Sequence, residues 1–418
     1  MVDKRFELSR TLARAALAAV GLAMVAAVAA GPARAADPIR IGLVAGISGA
    51  CGPLVDGEVK AVELGVDQLN AKGGLLGRPI ELIKRDSKTK PDEGAKLARE
   101  LVLNDKVDVL TGTCSSAVML AVSAVSKELK TPFYSTIGNS QKANIEAFQP
   151  YFWQTQAHAL MEAAAAAEFV AGHADWKRVV PMGFDYEWGH TSVDTFVAHL
   201  KQLRPDMEIA DPLFPKIGES NMTSYITAAL AQKPDVVYAA VFGGGLINLI
   251  KQGKSFGFFQ RASLVTLMTV DTMQALAKDM PAKGVSGYAR APFFELMGNP
   301  KAKAFVEAYR ERYGVYPDDW ATSSYDGLMY LAAAIEAAGG TDADKLMAAV
   351  TSITVHGLRG DALKVRDFDH LMNAPVYVGD VTTDSPYGFP IMKNVVRIDA
   401  DKTMPSKEQV EKLRAAAQ

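Results

Sequence analysis

The chain has 418 residues, 49% of them hydrophobic, with a formal net charge of −2 at neutral pH and no basic block. That length exceeds one compact core and suits two domains of ordinary size. The near-neutral charge argues against nucleic acid and anionic membrane surfaces as partners.

The first residues carry a targeting pattern. Lys4, Arg5, Arg10 and Arg14 form a basic start, diluted by Asp3 and Glu7. Ala15 to Ala30 is apolar, and Ala33-Arg34-Ala35 supplies a small-x-small cleavage site. Residues 1–35 therefore read as a secretory signal peptide cut after Ala35. The alternative, a retained anchor, meets the difficulty that a spanning helix needs roughly 20 apolar residues. No cysteine stands at the cut, so lipid attachment there is not expected. Cys51 and Cys114 are the only cysteines. In an oxidising compartment they permit one disulfide; the alternative is two buried free thiols.

Strand and helix patterns then alternate. Pro38–Val44 predicts a strand, and Val55–Lys72 a helix with Val59, Val62, Val66 and Leu69 on one face, stopped by Gly73-Gly74. Pro79–Lys84 alternates as a strand, Asp92–Asn104 is helical, Val107–Thr111 is a strand, Ser115–Lys130 a helix, and Pro132–Ser135 a strand. Ala163–Ala167 is strong helix former. The rhythm resumes with a strand at Trp176–Met182, a helix at Gly189–Leu203 and extended chain at Glu208–Pro215. A helix at Met222–Gln232, a strand at Asp235–Val241, a helix at Leu246–Gly257 and a strand at Ser263–Thr269 follow. Pro300–Tyr313, Thr322–Ala338 and Asp342–Ser352 are helical, and shorter strands, including Pro375–Thr382, close the chain. Such βαβ alternation predicts two doubly wound parallel sheets.

Enzyme patterns fit poorly. Gly46 to Gly52 spaces its glycines as GxxGxxG, not as the dinucleotide fingerprint GxGxxG. Gly253-Lys254-Ser255-Phe256-Gly257 matches GxSxG, but it falls at the end of a predicted helix, whereas a nucleophile elbow turns from strand to helix. The six histidines show no metal-binding spacing. No enzyme activity, metal or cofactor is expected.

The segment Ile41–Gly77, with Asn70-Ala71-Lys72-Gly73-Gly74 as its most specific piece, resembles the opening of the leucine/isoleucine/valine-type periplasmic binding proteins of ABC importers. Gly112-Thr113-Cys114-Ser115-Ser116, Pro132-Phe133-Tyr134-Ser135, Asp185-Tyr186-Glu187-Trp188-Gly189 and Arg366-Asp367-Phe368-Asp369-His370 follow in the family's order, so the resemblance covers essentially the whole mature chain. It implies a type I periplasmic-binding fold: two α/β lobes, three crossovers and a ligand cleft between the lobes. The crossovers are expected near Gln154–Ala157, Tyr288–Ala291 and Gly357–Lys364. Lobe one is then 37–155 plus 290–357, lobe two 156–288 plus 365–395, and 396–418 a C-terminal segment.

The resemblance also implies a site. Ligands of open α/β sheets bind beyond the C-terminal strand ends. Ser115 and Ser116, at a helix start, would hold a ligand carboxylate; a plain helix cap is the alternative for one of them. Asn139 takes the place of a threonine in the family and Ile137 that of a small residue. Trp188 and Phe242 stand where the family has tyrosines, and core packing is their alternative. Asp271 matches an acid that pairs the ligand ammonium, with a helix cap as its alternative. Cys51 and Cys114 lie at the same edge of lobe one, so a bridge between them is reasonable. The family's usual partner position reads Lys88 here.

The expected function is that of a periplasmic solute-binding protein, acting as a monomer, that closes on a branched-chain or other hydrophobic amino acid and delivers it to membrane permease subunits. An aromatic or aliphatic carboxylate, an amide or a urea-like compound is the alternative ligand, and a soluble sensor for a signalling partner is the alternative role.

Overall fold

The computed structural model describes residues 37–417, apart from residues 50 and 361. The signal-peptide expectation at 1–35 lies outside the described residues. The first sheet starts at β1 (Ile39–Ala45), which is buried along almost its whole length. Burial of both faces suits a central parallel strand. Helix α1 (Gly52–Ala71) follows and stops where Gly73 and Gly74 take φ values of 98° and 77°. The Gly74 amide donates back to the Leu69 carbonyl at 3.0 Å. A Cβ at Gly74 would lie 1.9 Å from the Arg78 carbonyl oxygen, so this turn requires glycine.

Next come β2 (Ile80–Asp86), α2 (Pro91–Leu103), β3 (Val109–Gly112), α3 (Ser116–Leu129), β4 (Phe133–Ser135) and β5 (Phe152–Gln154). The five strands lie in the order β2-β1-β3-β4-β5, all parallel.

Helix α4 (Ala159–Ala171) leads to the second sheet. Its Ala163–Ala167 run is buried, and its small side chains let it sit in one core with Phe196, Tyr238 and Val378. Then come β6 (Arg178–Gly183), α5 (Glu187–Leu203), β7 (Glu208–Ile209), α6 (Thr223–Ala231), β8 (Val236–Ala240), α7 (Gly243–Ser255), β9 (Ser263–Leu267), α8 (Val270–Ala275) and β10 (Val285–Ala289). Four helices follow: α9 (Phe293–Leu296), α10 (Pro300–Tyr313), α11 (Asp319–Ala338) and α12 (Ala343–Ser352). The chain closes with β11 (Val376–Thr382), β12 (Ile391–Ile398) and α13 (Lys407–Ala417).

The second sheet has the order β12-β11-β10-β9-β8-β6-β7. It is parallel from β6 to β10. β11 and β12 are added antiparallel at one edge of this otherwise parallel sheet. The short return of β12 onto β11 accounts for the antiparallel pairing of those two strands, because adjacent strands joined by a short loop must run in opposite directions.

Helix α11 covers the first sheet, not the second. Leu328, Leu331 and Ile335 share a core with Val62 and Val66 of α1. A Cβ on Gly65 would sit 2.7 Å from Leu328 Cδ2, so glycine permits this close approach. Val365, Met372 and Ala374 join the same core, and the chain rejoins the second sheet only at β11. The polypeptide thus passes between the sheets three times, after β5, after β10 and before β11. Among the described residues no helix is long and apolar enough to cross a membrane.

A candidate ligand cavity between the sheets

The loops at the C-terminal ends of β1, β3, β4, β6, β8 and β9 face a cavity of about 470 Å³. Ser115, Ser116, Ile137, Asn139, Trp188, Phe242 and Asp271 all line it, and so do Cys51 and Cys114.

The wall from the first sheet begins with a strained turn. Gly112 and Thr113 both adopt left-handed backbone, with φ of 113° and 72°. Such a φ is unusual for a β-branched residue, and outliers of this kind cluster at ligand sites. The turn delivers Cys114, which is disulfide-bonded to Cys51 across a sequence separation of 63, the Cα atoms 6.2 Å apart. The bridge ties the loop before α1 to the loop before α3. Ser115 is the N-cap residue of α3, yet its side chain makes no capping bond. Its hydroxyl and the first amides of a 14-residue helix are thus available to an anion. Ser116 Oγ accepts the Asn139 amide at 3.4 Å.

The 137–139 loop is held from below by buried polar groups. Gln154 and Gln156 both donate to the Gly138 carbonyl, at 2.9 and 2.7 Å. Asn139 Nδ2 donates to Glu162 at 2.6 Å, leaving its own Oδ1 without a partner. Glu162 pairs with Arg290 at 2.5 Å, and Arg290 also donates to the Ile137 carbonyl at 2.9 Å. The same guanidinium lies over the Trp320 ring, 4.8 Å from its centroid.

The wall from the second sheet is aromatic. Trp188, in the first turn of α5, meets Phe242 edge to face at 5.6 Å, and Phe242 meets Phe184 in the same way at 5.2 Å. Both expected aromatics therefore pack in a core and line the cavity as well. Asp271 stands in the first turn of α8 but does not cap it; Thr269 holds the N-cap position. Its Oδ1 is buried without a partner, and burial pushes its carboxyl above the usual range, against the pull of Thr269.

Two further acids surround Asp271. Burial pushes Asp319 up to about 7, with the Asp271 charge adding to the effect. Its carboxylate accepts the amides of Val270 at 2.8 Å and Ala291 at 3.2 Å. Burial and the charge of Asp271 hold Asp318 well above the ordinary range. At the mouth of the cavity Glu187 accepts from Ser140 Oγ at 3.1 Å and lies 3.5 Å from Lys142 Nζ, a contact that joins the two walls.

Sequence reasoning missed Glu162, Arg290, Asp318, Asp319 and Trp320. Asp318 does carry a local signal, but as the helix cap that it also is, accepting the Ala321 amide at 2.7 Å. The GxSxG sequence is no elbow: Ser255 ends α7 and donates to the Lys251 carbonyl of its own helix.

The family model of the periplasmic binding proteins matches residues 38–386. The chain belongs to this family. As a periplasmic binding protein it is a solute-binding protein of the type that serves ABC transporters, and its family acts outside the cytoplasm. Among its relatives, the Leu/Ile/Val-binding protein BraC3 of Rhizobium johnstonii is 28% identical over 225 residues, 53% of this chain and 58% of that protein. The Leu/Ile/Val-binding protein homolog 7 of Brucella abortus is 23% identical over 345 residues, 79% of this chain and 85% of that one. The binding protein also shares its fold with a Streptococcus pneumoniae branched-chain amino acid binding protein in complex with isoleucine (TM-score 0.76, 20% identity, 87% of this chain and 100% of that one). A solute-binding protein from Rhodopseudomonas palustris in complex with 3,4-dihydroxybenzoic acid is similar to the same degree (TM-score 0.76, 22% identity, 87% and 98% covered).

Proposed function

We propose that the chain binds a hydrophobic amino acid in this cavity, closes two lobes built on its two sheets over it, and passes it to the permease subunits of an ABC importer in the periplasm, after export directed by residues 1–35. The observation that carries this reading is Asp271. Its Oδ1 is a buried acceptor without a partner in a cavity walled by Trp188, Phe242, Ile137 and Leu120. Leaving such a group unpaired costs roughly 1–3 kcal/mol, and a ligand ammonium would remove the cost with a charge-assisted bond. The start of α3, with the Ser115 hydroxyl free of capping, suits the ligand carboxylate.

Because groups from both walls contact the ligand, binding favours the closed arrangement; a shift from 1:99 to 99:1 requires about 5.5 kcal/mol of differential affinity. The names of the curated relatives support an amino acid. The aromatic wall supports a second reading, an aromatic carboxylate, as does the neighbour with a bound dihydroxybenzoic acid.

A thermal-shift screen of the mature protein separates the two. A ligand at 100 times its Kd adds about 2.7 kcal/mol to stability. Leucine, isoleucine, valine or phenylalanine should raise the melting temperature. A rise with benzoate or its hydroxylated relatives alone moves the substrate to aromatic acids, and no rise with any of them refutes both readings.

A further inference from the structure

Trp320 stands in the first turn of α11, and nothing in its local sequence marks it out. Its side chain is 4% exposed and lines the cavity. The ring is fixed in place: Arg290 covers one face, and Cys51, Val55 and Ile137 share its small core, with Cys114 packed at the edge. Yet its indole N–H has no hydrogen-bond partner. Indole nitrogen is only a donor, and a buried tryptophan ordinarily finds an acceptor. The N–H lies near enough to Asp271 to favour the ionised carboxylate, but it completes no hydrogen bond, and Asp271 Oδ1 is itself unpartnered. A fixed donor on α11 and an acceptor on α8 therefore stand close together, both unsatisfied.

We propose that Trp320 is a specificity-determining residue of the cavity, its indole N–H donating to a carboxylate oxygen of the ligand while Asp271 accepts from the ammonium beside it. This rests on the amino-acid reading above and sharpens it. An α-amino acid carries donor and acceptor on neighbouring atoms and satisfies both groups at once. A simple acid leaves Asp271 unpaired, and a simple amine leaves Trp320 unpaired. Cys114 adjoins Ser115, so the Trp320 ring and the start of α3 flank the same part of the cavity.

Trp320→Phe keeps a ring under Arg290 and removes the N–H. Wild type and variant are titrated calorimetrically with L-leucine and with benzoate, and their ligand-free melting is compared. The variant should bind L-leucine about 10- to 100-fold more weakly, the range for a hydrogen bond to a charged group. The chain has four tryptophans, so the indole region of a ¹H–¹⁵N spectrum is simple. The peak missing from the variant should move downfield when wild type is saturated with leucine. Unchanged affinity, or a stationary Trp320 peak, overturns the inference. If wild type binds benzoate and not leucine, the amino-acid reading fails, and Trp320 stands or falls on whether the variant loses benzoate by the same factor. If neither binds, both fail together.

Discussion

Glu162 and Arg290 face each other at 2.5 Å with side chains 2% and 3% exposed, although they are 128 residues apart in sequence. The pair is worth its desolvation only because Asn139 and the Ile137 carbonyl complete its hydrogen bonds. Glu162→Gln should lower the unfolding free energy by about 3 kcal/mol, because it strands a buried cation. Urea denaturation checks this. A Glu162→Leu, Arg290→Met double variant should recover part of the loss, and no recovery would mean that the loop bonds matter more than the charges.

Asp271→Asn removes the charge and keeps the shape. For an amino acid the expected loss of affinity is at least 10-fold, that of a charge-assisted bond. For benzoate it should be slight. Calorimetric titration of both ligands tests this, and equal losses would defeat the assignment of Asp271 to the ammonium.

The Cys51–Cys114 bond closes a loop with a sequence separation of 63, which chain entropy values at about 4 kcal/mol. Cys51→Ser, Cys114→Ser protein should be less stable by up to that amount. It should also bind ligand more weakly, because the bridged loop carries Ser115. Thiol titration of the denatured, unreduced wild type should find no free thiol.

Stability should depend on pH through Glu58, raised to about 7 chiefly by burial, with the Thr136 hydroxyl pulling the other way. A carboxyl raised above its ordinary value of 4.5 supports folding fully below that pH and loses the support as pH rises through 7. Glu58→Gln cannot ionise. Relative to wild type it should gain roughly 3 kcal/mol between about pH 4.5 and pH 8. Denaturant midpoints at the two ends of that range decide the matter. His158 acts in the opposite sense: burial lowers it to about 3, so its contribution is lost as pH falls below 6.5.

Much of this architecture is legible in the chain. The apolar runs of β1, β6, β8 and β9 and the glycine stop after α1 are local signals with local causes. β5, β7 and β12 are harder to read. Two of them are only three and two residues long, and β12 alternates burial irregularly at a sheet edge. The expected extended stretch 208–215 shrinks to a two-residue ladder, with Leu213 bridging Met182 beyond it. Around the cavity, the strand-end loops are readable because parallel sheets put ligands there. Arg290, Glu162 and Trp320 are not, because each has a bland neighbourhood in sequence and acquires its partner only through the fold.

The position of α11 has a consequence for how the molecule is made. Tyr325 donates to Gln68 across 257 residues of chain, and the core that α11 shares with α1 has similar separations. During synthesis the face of the first sheet that α11 helps to cover must wait, incompletely buried, until β6 to β10 of the second sheet have emerged. Contacts of such range are slow to form, and surfaces left open in the interval are prone to aggregate. The docking of α11 onto α1 is thus the natural late step of folding, and a chain cut before Asp319 would lack a finished first half, however completely its own strands had been translated.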